Sequence, residues 1–360
     1  MYDGLVASSH KDFFNILETV VGESERELLW FRGQRVSSWD IIPSLYRNAN
    51  VTWNRQGTYS NTRLREEYRF HSFRAKTGHS IQTAPKSPLE WQEIMQHHGV
   101  KTRLIDWTES ATTAMLFALE ELFMATPNVK QQQGMTPAIW ILKPKKLNSI
   151  IYELITRREN GRYPFIEKAI ALISGKTKMR VDARRIAHEL AKNKDLYFSL
   201  STNYSIDGLV NLSAIEELRN NYSVNTREAL LSFELNPFHY VLLRLYADGI
   251  ASTIKPGESI LPPVATIQQY HSERIEAQRG VFLVSPYYQL SLTSTQLSAA
   301  GVDFRALNMQ PGSHGFLHKV RLIDPVHIVR ELLYSGERRS SIYPEIPVYA
   351  DDIEANKLVY

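Results

Sequence analysis

The sequence predicts an α+β fold, a core of short strands with flanking helices that carries a helical insertion. Three observations predict it. Segments with apolar residues at helical spacing are interleaved with short apolar runs that end at Gly or Pro. The stretch 147–230 turns to charged, helical patterning with Asn, Ser and Gly at its joints. An apolar share of 43% with 22% charged residues is that of a globular chain able to bury a substantial core.

Taken in order, residues 10–21 read as an amphipathic helix, with Phe13, Phe14, Leu17 and Val20–Val21 near one face. Leu28 to Gln34 is a short apolar run broken by Gly33, a buried strand ending in a turn. Residues 62–76 are charged and helical, and Pro85 and Pro88 punctuate the start of a helix from Leu89 to His98, which Gly99 stops as a left-handed cap. Thr102 to Thr108 is too irregular for a helix and reads as a loop held between buried helices. Ser110 to Met124 is apolar on most faces, a core helix, and Ala138 to Leu142 a buried strand. Residues 147–230 read as the insertion, with helical patterning at Met179 to Leu190 and Ala214 to Asn221 and with the Gln131–Gln133 loop ahead of it. Strand patterning returns at Ala251–Ile254, Val281–Ser285 and Phe316–Ile323. A helix from Pro325 to Tyr334 precedes a Pro-containing tail. The core is thus expected in two parts, 1–146 and 231–360, around the insertion.

Composition narrows the chemistry. Lys and Arg number 42 against 38 Asp and Glu, a net charge of +4 and a sequence pI near 9.0. That is compatible with attraction to phosphates without demanding non-specific nucleic-acid binding. The absence of cysteine excludes disulfides, thiolate nucleophiles and Cys-based metal sites. The start Met1-Tyr2-Asp3-Gly4 lacks the basic-then-apolar form of a secretory signal. The greasiest stretch, Ala111 to Ala125, is too short for a bilayer, so a soluble, cytoplasmic protein without membrane contact is expected. His97 and His98 are adjacent and project about 100° apart on a helix, so no metal site is expected there. No Gly-rich phosphate loop, Gly-x-Ser-x-Gly or His-Glu-x-x-His occurs.

Three clusters can carry chemistry. In Gln96 to Thr108, Arg103 is a candidate cation for a phosphate or carboxylate, Trp107 a stacking surface, Asp106 a group orienting a hydroxyl, and Thr108 the cap of the next helix. The competing reading pairs Arg103 with Asp106 in the interior and buries Trp107 in the core. Arg32-Gly33-Gln34 places an Arg beside a Gly that admits a ligand closely; the alternative is a snorkelling Arg on an edge strand. In Ser272 to Gly280, an extended chain would put Arg274, Glu276 and Gln278 on one face, whereas a helical chain would leave a solvated face.

At these residues the chain resembles the FRG domain family. Phe31-Arg32-Gly33-Gln34 matches the tripeptide that names it. Trp91, Gln96-His97, Gly99, Thr102-Arg103-Leu104, Asp106-Trp107-Thr108, Ala114 and Phe117-Ala118 match its long central signature. Arg274-Ile275, Gln278, Gly280 and Phe282 match a later motif, and Gly336 with Tyr343-Pro344-Glu345 echoes a closing segment. Lys101 stands where Pro is usual, and Tyr343 where Phe is. The pattern is in turn similar to that of ADP-ribosyltransferases of the arginine–serine–glutamate type. The resemblance implies an ADP-ribosyltransferase-like core with NAD as substrate and a protein or nucleic-acid acceptor, in a toxin or defence effector. Arg32 would bind the NAD phosphates, Thr108 or Ser110 would be the middle element, and Glu276-Ala277-Gln278 the third. Gln278 stands where Glu is expected, so either Glu276 supplies the catalytic carboxylate or Gln278 orients substrate without a charge. Gln34, His97, Arg103, Asp106, Trp107 and Thr108 would line the NAD site. The alternative is a non-catalytic module that binds a nucleotide or nucleic-acid phosphate through Arg32, Arg103 and Lys101.

Overall fold

A computed structural model describes residues 5–21, 28–39, 41, 43–45, 47, 58–79, 81, 85, 88–124, 136–155, 263–267, 272–284 and 315–356. They form an α+β fold around a seven-stranded mixed sheet. The strands are β1 (Leu5–Ala7), β2 (Trp30–Gln34), β3 (Leu104–Thr108), β4 (Ala138–Leu142), β5 (Val264–Thr266), β6 (Gly280–Val284) and β7 (Leu317–Leu322). The helices are α1 (His10–Val21), α2 (Thr58–Thr77), α3 (Pro88–His97), α4 (Ala111–Met124), α5 (Pro144–Ile155), α6 (Glu273–Ala277), α7 (Pro325–Tyr334) and α8 (Ile346–Asn356). The sheet order is β1-β7-β4-β2-β3-β6-β5, antiparallel throughout except for the β1–β7 pair.

The expected helices at 10–21, 62–76, 89–98, 110–124 and 325–334 are all present within a few residues, as are the strands β2, β4, β6 and β7. Gly99 has φ 77°, and the Val100 N–H reaches back to Met95 O at 2.8 Å, the left-handed cap expected of it. Residues 104–108 are a central strand and not a loop: Leu104, Ile105, Trp107 and Thr108 are all buried, because both faces of the sheet are covered there. Residues 273–277 are helical, with the Ser272 hydroxyl accepting from Ile275 N. Glu276 and Gln278 therefore do not share an extended face. Strands β1 and β5 are three residues each, below the length at which alternation can be recognised. Helix α8 begins at Ile346-Pro347 in the expected tail; a Pro in the first turn costs a helix no hydrogen bond. The expected strand at 251–254, the 131–133 loop and the helical patterns at 179–190 and 214–221 lie outside the described residues. At the start of the expected insertion, α5 runs through 147 with Leu147, Asn148 and Ile151 buried.

The main core lies between one face of the sheet and helices α1, α4 and α7. Phe31, Ile139, Ile141, Val320 and Leu322 meet Phe13, Leu17, Ala114, Ala118, Ile328 and Leu332 there. Gly33 explains how close α4 comes. A Cβ at that position would lie 1.9 Å from Ala114 O and 2.7 Å from Ala118 N. The glycine thus admits the helix backbone, with Ala114 and Ala118 as its small partners. By strand alternation Arg32, Trp140 and Lys319, paired in register across β2, β4 and β7, belong to the opposite face. At the sheet edge, Asn148 of α5 exchanges both amide hydrogen bonds with the Ala265 backbone at 3.0 Å, so β5 is closed by a side chain.

Candidate functional site

A cleft of about 920 Å³ opens where β2, β3, the end of α3 and the α6–β6 turn meet. This is within the range of roughly 300–1,000 Å³ usual for small-molecule sites. Arg32, Gln34, His97, Asp106, Trp107, Thr108 and Gln278 all line it. Segments separated by some 250 residues of chain therefore supply one concavity.

Arg32 is the cation at its centre. Its Nη1 donates to the Asp106 carbonyl at 2.5 Å. Its Nε is buried and has no acceptor among the described residues. Burial lowers the Arg32 pKa, with the Asp106 charge opposing and the neighbouring Arg47 reinforcing that shift. A guanidinium nevertheless stays charged at any physiological pH. The lining carries Arg32, Arg35, Arg47 and Arg274 against Glu93 and Asp106, so its balance is cationic.

The other lining groups are held by specific contacts. The Gln96 amide donates to the Asp106 carboxylate, and the Thr102 hydroxyl donates to Gln96 Oε1, which locks the end of α3 to β3. His97 is half-buried, and burial, then His98 and Arg274, hold its pKa below the ordinary histidine value. The ring is therefore neutral at pH 7 and able to accept a proton or a hydrogen bond. Gln34 accepts from Trp140 Nε1 at 2.7 Å, so its carbonyl oxygen braces the sheet. Trp107 is 3% exposed, which leaves little of its ring to a ligand and makes it a core residue whose edge reaches the cleft.

Thr108 does not cap α4. Ser110 does, its hydroxyl accepting from Thr113 N at 3.2 Å. The Thr108 hydroxyl instead donates to Gln278 O at 2.7 Å and accepts from Ser110 N at 3.0 Å. Glu109 N adds a bond to Arg279 O at 3.1 Å, so the α6–β6 turn is tied to the end of β3. Arg279 pays for that turn with φ 46°, in the left-handed region. Gln278 is held from the far side, its Nε2 donating to Ile342 O at 2.9 Å.

Two expected site residues fall elsewhere. Arg103 is 3% exposed and does not line the cleft; its Nε lies 3.2 Å from Glu66 Oε1 of α2, and Gln92 donates to the same oxygen at 3.1 Å. The ion pair joins α2 to the approach to β3, and the partner is Glu66 instead of Asp106. Glu276 is exposed on α6 and also absent from the lining, because one helical turn directs it away from Gln278.

Strand β2, the α3–β3 junction and α4, which contribute to the cleft, fall within one matched stretch. Residues 27–125 match the FRG domain. The match covers a little over a quarter of the chain and runs from β2 to the end of α4. No curated protein and no solved structure matches the chain. Within the matched residues, Gly33, Ala114 and Ala118 are packing residues, Gly99 a helix stop and Thr108 a brace, while Arg32, His97 and Asp106 face the cleft. Beyond it, Arg274 lies over the Tyr343 ring at 4.5 Å and 3.7 Å from Glu345. Burial and Glu120 raise the Tyr343 pKa, Arg274 opposing. The closing segment thus props the α6 wall of the cleft.

Sequence reasoning missed Trp39, Arg47, Glu93 and Phe117 as lining residues. Glu93 and Phe117 have a signal, since helical spacing puts Glu93 near Gln96 and His97, and Phe117 near Ala114. Trp39 and Arg47 sit around the Pro43 loop, where no periodicity marks which side chains turn inward.

Among the described residues no helix is long and apolar enough to cross a membrane.

Proposed function

We propose that the cleft binds NAD or a closely related nucleotide and that the domain transfers ADP-ribose from it to a macromolecular acceptor. The observation that carries this reading is Arg32, which lines a cationic cleft and whose buried Nε has no acceptor among the described residues. Leaving such a donor unmet costs about 1–3 kcal/mol, and a phosphate oxygen matches its geometry. Further support is the junction of three elements similar to those of ADP-ribosyltransferases: Arg32 on β2, Thr108 on β3, and Glu276-Ala277-Gln278 before β6, the second and third tied by the Thr108–Gln278 bond.

In the reaction the glycosidic C1′–N bond of NAD breaks and its electron pair leaves on neutral nicotinamide. C1′, now oxocarbenium-like, is captured by an acceptor nucleophile, which sheds a proton. Arg32 neutralises the diphosphate, Gln278 positions the ribose or acceptor, and neutral His97 is a proton acceptor at the cleft wall. Asp106 and Glu93 are the carboxylates near enough to stabilise positive charge; Glu276 on the outer side of α6 is not.

The test is incubation with NAD carrying label in its adenylate half, with nicotinamide release and label transfer followed together. Wild type is expected to release nicotinamide, and Arg32→Ala to lose this while keeping its melting temperature. Turnover at the wild-type rate in Arg32→Ala would sink the assignment. A specific observation favours a second reading, binding without turnover: Gln278 is uncharged and Glu276 faces away. Saturable NAD binding with no nicotinamide release selects it.

A further inference from the structure

Trp39 stands at the lip of the same cleft with 48% of its surface exposed. Among the exposed large hydrophobics of the described residues it is the one that lines the cleft, and its turn is held by specific contacts. Ser37 N donates to Thr136 O at 2.8 Å, Lys319 Nζ donates to Ser37 O at 2.9 Å, and Trp39 N donates to Val36 O at 3.2 Å. The Arg35 guanidinium, held by Glu121, lies over the indole 5.6 Å from its centroid. A pinned turn and a stacked cation thus fix a flat apolar surface at the entrance to a site whose other tryptophan, Trp107, is packed away.

A nucleotide has two parts to satisfy, a polyanion and a π-face. Arg32, with Arg47 near enough to perturb its charge, answers the first. We propose that Trp39 is the stacking platform for the nucleobase of the ligand whose phosphates Arg32 holds. This rests on the nucleotide reading given above and adds to it which side chain recognises the base. Stacking selects for a ring without reading its edge, so the preference is for nucleotides over bare phosphates and not for one base.

The experiment is calorimetric titration of the full chain with NAD, ADP and inorganic pyrophosphate. Trp39→Ala is expected to raise the Kd for NAD and ADP on the order of ten- to a hundred-fold. It should leave pyrophosphate binding within about two-fold, the error of such a comparison. Trp39→Phe should retain most of the affinity, and ADP should quench indole fluorescence more strongly in wild type than in Trp39→Phe. Arg32→Ala should weaken all three ligands. If Trp39→Ala binds NAD and ADP as wild type does while Arg32→Ala loses them, the platform is refuted and the nucleotide reading stands. If Trp39→Ala weakens pyrophosphate as much as ADP, or Trp39→Phe is quenched as strongly as wild type, the platform is refuted as well. Wild type binding none of the three ends both.

Discussion

Gly33→Ala is the sharpest test of how this site is built. Two roles compete for the glycine: letting a ligand approach Arg32, or letting α4 approach β2. The structure gives the second a distance. The added Cβ would sit 1.9 Å from Ala114 O, 2.7 Å from Ala118 N and 3.0 Å from Ala114 C. Non-bonded heavy atoms are comfortable at about 3.5–4.0 Å, so α4 must retreat by roughly 1.5 Å. All three atoms are backbone, so no rotamer change relieves the clash. The retreat strips contacts from Met115, Leu116 and Leu119, which are almost wholly buried. Ordinary overpacking costs about 1–3 kcal/mol, and a backbone clash this deep should reach at least the top of that range. At roughly 2–4 °C per kcal/mol, the melting temperature should fall by about 6–12 °C. Urea titration of wild type and Gly33→Ala gives the free energy directly, and NAD or pyrophosphate titration of the folded fraction gives binding. A variant within about 1 kcal/mol of wild type, yet unable to bind, would refute the packing argument and restore the ligand-approach role.

Other perturbations probe the remaining parts. Arg279→Gly should stabilise the chain by up to about 1 kcal/mol, because φ 46° is strained for any side chain; a loss of stability on urea titration would mean that the Arg279 side chain matters more than its backbone. Asn148→Ala leaves the buried N–H and C=O of Ala265 without their partner and should cost roughly 2–4 kcal/mol, read by urea titration; a change below about 0.5 kcal/mol would show that β5 is not held through this side chain. His97 has its folded pKa depressed, so below the unfolded value near 6.5 the unfolded chain takes up a proton that the native ring refuses. Stability should therefore be level above pH 7 and decline as pH falls through 6.5, with a shallower decline in His97→Asn; parallel profiles for the two proteins would refute this.

Where the sequence had a period, it was legible. Helices α1, α4 and α7 and strands β4 and β6 announce themselves by apolar spacing, since each buries a face against the sheet. Strand β3 was hidden because Asp106 and Thr108 interrupt its apolar run, although Thr108 is buried and Asp106 alone is exposed. The extended-or-helical ambiguity at 272–280 could not be settled by pattern, because a five-residue helix is too short to display a period; what decides it is the Ser272 cap. That an interior Arg103 pairs with Glu66 and not with Asp106 is hidden for a related reason. Its partner Glu66 lies 37 positions away on α2, and no local spacing reports that pairing.

This separates two jobs within one signature. Gly33 with Ala114 and Ala118 sets the strand-to-helix distance; Arg103 with Glu66 anchors α2; Thr108 ties β3 to the turn before β6. Each of these contacts is made within the protein and does not involve the cleft cation. Arg32 differs. Among the described residues its Nη1 donates to the Asp106 carbonyl and its Nε has no acceptor, while the Asp106 charge favours its charged form and the Arg47 charge opposes it. A protein gains nothing in stability from placing a guanidinium this way, since a leucine there would bury without penalty. On the reading proposed above, a cation so incompletely paired is held at some cost in stability. On that argument Arg32→Leu should raise the melting temperature of the unliganded chain while abolishing its affinity for pyrophosphate. A destabilised Arg32→Leu would place the arginine among the structural residues and remove the reason for expecting an anion in the cleft.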